Sequence, residues 1–335
     1  MAALPRHRVL NGLRIGLALL VTAAVTVAVV RNWSEVSADL RRVDGGSLAL
    51  ASAFVAVAPI LTMLGWRRLL ADLGSDLHVA PAGGIFFVGQ LGKYLPGSVW
   101  SIVAQAEMAA RLHIPRSRSA VVGMITLGLA AICGFVVGLP ALPLLLRREG
   151  GEGLGWLLLA LPLVVVLLWP PLLNWGIDVG LRRLHREPLE HSLSGRAVLT
   201  TAACFIGAWI FSGLHAWVLV RAIGEPTVDP GQLLVASVCG FALASSLAMF
   251  SVVLPAGVGV REGLLVLILA PATTSTSAAA AVVVLSRFLT VLADVVFALA
   301  GWAYARSHHL LTNRAERAQE GVVLEEDAEA DSTAP

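Results

Sequence analysis

Six charged residues stand within or beside long apolar runs of this chain: Lys93, Arg261 and Arg287, and Glu107, Glu262 and Asp294. A charge at membrane depth costs about 2.5–3.5 kcal/mol on insertion scales, so such residues are kept for a task. The cations suit an anion such as a lipid phosphate. The acids suit a counter-charge, or exchange of a proton or cation. Arg287 and Asp294 are seven residues apart and so share a helix face; an inter-helix ion pair is the plainer use of both. Arg261 and Glu262 are adjacent and should point differently around a helix. Glu262 could equally neutralise an arginine of a neighbouring span.

Two breaks in the apolar pattern lie next to these charges. Lys93 precedes Leu95, Pro96 and Gly97, with Gln105 and Glu107 following; Leu254, Pro255, Ala256, Gly257 and Gly259 precede Arg261 and Glu262. Pro96 and Pro255 stop the preceding turn from continuing as a helix, and Gly97, Gly257 and Gly259 let the backbone bend. In lipid the freed backbone groups survive only against protein or a water-filled cavity. A helix restarting after each break would aim its positive end into the membrane, where it attracts anions. Transporters place interrupted helices at corresponding positions of their two halves. For either break alone a simple kink is an equal reading. Two breaks, each with a base and an acid nearby, favour a cavity.

Other residues carry less. Cys133, Cys204 and Cys239 sit in apolar runs without CxxC spacing and read as small buried hydrophobes. His215 reads as a core histidine with a hydrogen bond across helices. Gly134 and Gly138 form a GxxxG, which lets helices approach closely, within the chain before between chains. Trp33, Trp66, Trp100, Trp156, Trp169 and Trp175 mostly flank span ends as an aromatic belt would; Trp100 is also placed to touch a lipid headgroup. No HExxH, GxSxG, Walker loop or strand–helix GxGxxG occurs. No enzyme, cofactor or metal site is therefore expected, and Asp39, Asp44, Asp72 and Asp76 form no diagnostic cluster for a glycosyltransferase.

The elements that must hold these groups are membrane helices. Of 335 residues 57% are hydrophobic and 14% charged, against about 25% charged in soluble domains. Apolar runs cover 15–30, 47–64, 120–146, 154–173, 197–220, 232–253 and 278–305, each close to the roughly 20 residues that cross a bilayer. Two further segments, 83–110 and 257–270, are interrupted or short. This predicts an all-α polytopic bundle of about eight crossings, with the hairpin 83–110 re-emerging on its own side and 257–270 completing a broken crossing. Arginine and lysine gather before the first span and in alternate loops, which places both termini in the cytoplasm. Residues 1–306 form the membrane domain, and 307–335, with Glu325, Glu326, Asp327, Glu329 and Asp331, have the composition of a disordered acidic tail. A net charge of +2 without a basic, aromatic-laced run argues against nucleic acid.

The run Gly89, Gln90, Leu91, Gly92, Lys93, Tyr94, Leu95, Pro96, Gly97, Ser98, Val99, Trp100, together with residues 254–263, resembles the lysylphosphatidylglycerol synthase transmembrane-region family. That family includes the flippase half of bacterial multiple-peptide-resistance proteins and stand-alone flippase-like proteins. The resemblance implies about eight helices with re-entrant elements and a lipid-translocating role in the bacterial inner membrane. Bifunctional members carry a soluble aminoacyltransferase domain after the membrane region, and this sequence ends about 30 residues beyond its last span, so lysine transfer is not expected. An aminoacylated lipid would then come from a separate lipid-modifying enzyme, and stand-alone relatives have been linked to polyprenyl-phosphate and glycan-lipid pathways.

The expectation is translocation of a phosphate-bearing lipid, either an aminoacylated phospholipid or a polyprenyl-phosphate-linked species. Lys93, Arg261 and Arg287 would hold the headgroup, and Glu107, Glu262 and Asp294 would serve as counter-charges. The rivals are a membrane transferase or accessory subunit of polyprenyl-linked glycan or cell-envelope synthesis, and a structural scaffold.

Overall fold

The structure is a computed structural model, and it describes residues 41, 43–95, 99–146, 170–183, 189, 191–223, 226–249, 257 and 259–308. The apolar run 15–30, most of 154–173, and the break residues Pro96, Gly97 and Pro255 fall outside them, as does all but the start of the acidic tail.

Helix α1 (Gly45–Asp72) begins where Asp44 accepts hydrogen bonds from Gly46 N (2.8 Å) and Ser47 N (3.0 Å). These fill backbone donors that a helix start leaves open. The bond from the Ser47 hydroxyl, with that from its backbone, holds the Asp44 carboxyl below its ordinary range. Helices α2 (Val79–Gln90) and α3 (Trp100–Ala110) fold back on one another around a 3-10 turn, Leu91–Tyr94. Gly89 abuts Gln105, and Gly92 abuts the backbone of Ser101, so a side chain at either glycine would force the hairpin apart. Helix α4 (Arg116–Gly138) follows, extended by a 3-10 turn into α5 (Leu142–Leu146); α6 is Pro170–Arg183 and α7 is Gly195–Ile223. The short α8 (Pro230–Leu234) passes through a π turn (Val235–Cys239) into α9 (Gly240–Met249). Helix α10 (Val260–Leu269) and a long α11 (Thr276–Ser307) close the bundle.

Among the described residues five helical stretches are long and apolar enough to cross a membrane: Gly45–Asp72, Arg116–Leu144, Gly195–Ile223, Pro230–Met249 and Thr276–Ser307. They coincide with five of the seven apolar runs. Their outer faces keep large apolar side chains exposed, Leu199 at 73% and Met124 at 61%, as a lipid-facing surface does. The protein is a multi-pass, membrane-embedded helical bundle.

Small residues set the helix spacing. Gly65 of α1 packs on Phe205 of α7, and the Thr201 hydroxyl donates to the Gly65 carbonyl at 3.3 Å. Gly134 and Gly138 both face α9 within the same chain: a methyl group at Gly138 would sit 2.7 Å from the Cα of Leu243. Gly213 meets the backbone of Val238 inside the π turn. With no hydrophobic drive between helices in lipid, this close packing supplies much of the association. Gly138→Val is accordingly expected to destabilise the detergent-solubilised protein by about 1–3 kcal/mol, read as a lower midpoint of thermal unfolding. An unchanged midpoint would mean α4 and α9 do not pack this closely.

Trp66 corrects one expectation. It is fully buried beside Phe86, at a ring separation of 5.7 Å, and is no part of an interfacial belt. A tryptophan near a span end in sequence enters the core when its helix face turns inward, which hydropathy alone does not report.

Candidate functional site

A cavity of about 380 Å³ opens where α1, α2, α3, α4, α7, α9, α10 and α11 converge. Lys93 and Tyr94, from the turn before the first break, line it together with Gly257 and Arg261 from the second; Arg287 and Asp294 join them from α11. Stretches more than 150 residues apart in sequence thus share one chamber. Phe86, Trp209 and Phe241 supply apolar wall, and Pro59 places a proline of α1 at its edge.

Asp294 ties the first break to the last helix. Its Oδ2 lies 2.7 Å from Lys93 Nζ and accepts a hydrogen bond from the Tyr94 hydroxyl at 2.6 Å. Lys93 and Tyr94 are neighbours in the Leu91–Tyr94 turn and both reach Asp294, so one carboxylate holds the turn. Asp294→Leu should therefore cost about 2–3 kcal/mol of stability. That is below the roughly 3–5 kcal/mol of a fully buried broken pair, because the Lys93 side chain is 36% exposed. The double variant Lys93→Leu with Asp294→Leu should regain most of that loss in chemical denaturation. A double variant no more stable than the single one would show that the ion pair is not what fixes the turn.

Arg261 and Glu262 open α10. Gly257 and Gly259 take left-handed backbone angles, φ +65° and +88°, where a Cβ would be strained. From the first turn Glu262 reaches back, its Oε2 accepting the Gly259 N–H at 2.7 Å; this is the acidic half of a capping box. Oε1 of the same carboxylate lies 3.2 Å from Arg261 Nε and 3.6 Å from Arg287 Nη1. The adjacent Arg261 and Glu262 therefore do meet, against the expectation from helical spacing. The spacing argument assumes side chains on a continuing helix, and Glu262 instead bends towards the open end. The positive end of α10, expected to attract an external anion, is already capped by this carboxylate.

Arg261 is the least compensated cation. Its guanidinium lies 5.4 Å from the centroid of the Phe241 ring, a cation–π arrangement. Its Nε meets Glu262 at ion-pair distance without hydrogen-bond alignment, and neither Nε nor Nη2 makes a hydrogen bond among the described residues. Among the described residues three cations stand against two carboxylates, Glu262 and Asp294, a balance of one net positive charge.

The remaining predicted residues are placed as follows. Glu107 lies away from the cavity, in a two-point ion pair with Arg116 at 2.8 and 2.9 Å. The Arg116 guanidinium holds its carboxyl below the ordinary range, mainly through these bonds. A base and an acid near a break in sequence are not thereby one cluster, since α3 carries Glu107 past the chamber to its far end. His215 is fully buried on the cavity wall, with Nε2 2.7 Å from the Ser286 hydroxyl. Among the described residues no group of three or more His, Cys, Asp or Glu could hold a metal. Tyr94, Thr126 and Ser245 were not picked out by sequence reasoning. The one available signal was that Tyr94, one of only two tyrosines in the chain, directly follows Lys93.

Residues 14–299 match the family described as lysylphosphatidylglycerol synthase TM region. A search of curated proteins finds no match to the chain.

Proposed function

The chain belongs to the lysylphosphatidylglycerol synthase TM-region family, and from that footing we propose that it moves a phosphate-bearing lipid between the leaflets of the bacterial inner membrane. The lipid is an aminoacylated phospholipid or a polyprenyl-phosphate-linked species. The observation that carries this reading is the chamber itself: among the described residues an excess of partly buried cations, walled by both interrupted segments, inside a bundle whose outer faces are apolar. Arg261 and Arg287 hold the phosphate while the acyl chains stay in lipid, so the headgroup crosses without facing hydrocarbon. In this reading the chain crosses about eight times with both termini cytoplasmic, the α2–α3 hairpin and α10 being re-entrant elements of the kind transporters use. The protein performs no chemistry on its substrate, and a separate enzyme makes the lipid.

Headgroup-accessibility assays in proteoliposomes test this. Wild-type protein should speed the loss of outer-leaflet asymmetry well above empty vesicles. A rate equal to empty vesicles overturns the reading. Release of a new product from a lipid-phosphate sugar donor would instead favour a membrane transferase of glycan or envelope synthesis.

A further inference from the structure

We propose that the headgroup this chamber accepts is a phosphate bearing an uncharged, hydroxyl-rich group, and that it excludes headgroups carrying a free ammonium. The proposal rests on the reading above of the chamber as a headgroup site, and of the two lipid classes named there it keeps the polyprenyl-phosphate-linked one. Phosphatidylglycerol serves below as a probe with the same headgroup chemistry, a phosphodiester bearing uncharged hydroxyls.

Charge balance comes first. Among the described residues the cluster of Lys93, Arg261 and Arg287 with Glu262 and Asp294 holds one net positive charge, which one phosphodiester neutralises. A headgroup with an added aminoacyl ammonium would instead need a carboxylate of its own. Asp294 is the only acid among the described residues lining the chamber, and its Oδ2 is already held by Lys93 and Tyr94. Glu262 behind Arg261 is shared between the Gly259 N–H, Arg261 and Arg287. An entering ammonium would have to share a carboxylate that already balances a cation, which leaves the site with surplus positive charge out of water. Part of the aromatic wall is already engaged. Phe241 already faces Arg261 at 5.4 Å, and Phe87 is paired with Phe297 at a ring separation of 4.8 Å.

The second observation concerns neutral polar groups. Thr126 and Ser245 line the chamber, and each carries a buried hydroxyl oxygen, Oγ1 and Oγ, with no hydrogen bond among the described residues. Buried polar atoms are rarely left without partners. Hydroxyl groups, which both donate and accept, suit a serine and a threonine hydroxyl, whereas an ammonium only donates. At about 380 Å³ the chamber lies in the range of small-molecule sites, so it takes a headgroup and not the acyl chains.

The test compares three labelled lipids in proteoliposomes of the full chain: phosphatidylglycerol, its lysyl ester, and phosphatidylmethanol, which has the phosphate and no headgroup hydroxyl. Phosphatidylglycerol should move at least tenfold faster than the lysyl ester and severalfold faster than phosphatidylmethanol. In the Ser245→Val variant the preference over phosphatidylmethanol should shrink while discrimination against the lysyl ester remains. Equal or faster movement of the lysyl ester overturns the proposal and leaves translocation standing. If no lipid moves, competition for the detergent-solubilised protein, read by native mass spectrometry, separates the two claims. Retention of phosphatidylglycerol over the lysyl ester then supports the headgroup class and sinks translocation, whereas no preference sinks both.

Discussion

Glu262→Gln is expected to lower the stability of the folded protein by about 3–5 kcal/mol, the loss typical of a buried ion pair deprived of one partner. The Glu262 side chain is 12% exposed and Arg261 11%, so water screens neither well. One carboxylate stands between two guanidinium groups, Arg261 at 3.2 Å and Arg287 at 3.6 Å. Its neutralisation leaves two like charges facing one another across a poorly screened gap. Glutamine keeps the shape and retains a carbonyl oxygen to accept the Gly259 N–H, so the substitution removes charge and spares the cap. That separation makes the result interpretable. Adding Arg261→Gln to the variant should restore at least half of the loss, because one of the two facing like charges is then gone. Denaturant midpoints in a single detergent read both variants. A loss below about 1 kcal/mol for Glu262→Gln would mean that water reaches the pair and that its members act as a surface salt bridge.

The same pair shows where sequence reasoning carries and where it stops. Continuous apolarity places helices well, because a span must satisfy its own backbone and the hydropathy pattern records that requirement directly. The charges inside such runs also mark the chamber, since burying them has to be repaid by partners. Lys93, Arg261, Arg287 and Asp294 were legible on that ground, and all four line it. Partner choice was not legible. Arg287 and Asp294 share a face, yet Asp294 binds Lys93 and Tyr94 from a turn some 200 residues earlier, while Arg287 leans on Glu262. Helical periodicity fixes what a residue faces on its own helix and says nothing of which helix lies opposite. Glu107 marks the same limit from the other side, because proximity to a break in sequence placed it with a cluster that α3 carries it away from. Neutral wall residues such as Ser245 and Thr126 left no trace, because serine and threonine cost little in a membrane helix and are common there.

Arg261→Ala is expected to reduce lipid translocation by about 10- to 150-fold, the equivalent of the roughly 1.5–3 kcal/mol carried by a hydrogen bond to a charged group. Arg261 combines three properties that no other chamber cation shares: deep burial, a place directly after the left-handed Gly257–Gly259 turn, and Nε and Nη2 atoms without hydrogen bonds among the described residues. Lys93 is already committed to Asp294. Removing Arg261 leaves Glu262 within 3.6 Å of Arg287, so the stability loss should stay well below that of Glu262→Gln, and loss of transport can be told apart from unfolding. Arg261→Lys preserves the charge and gives up the planar fork that grips two phosphate oxygens at once. It should therefore recover part of the rate, with the missing remainder measuring geometry and not charge. Asp229→Asn, at the exposed start of α8 and outside the chamber lining, should transport at the wild-type rate. Should Arg261→Ala and wild type move lipid equally fast at equal reconstituted amounts, the phosphate does not pass over Arg261, and the cationic chamber serves only to hold the two interrupted segments together.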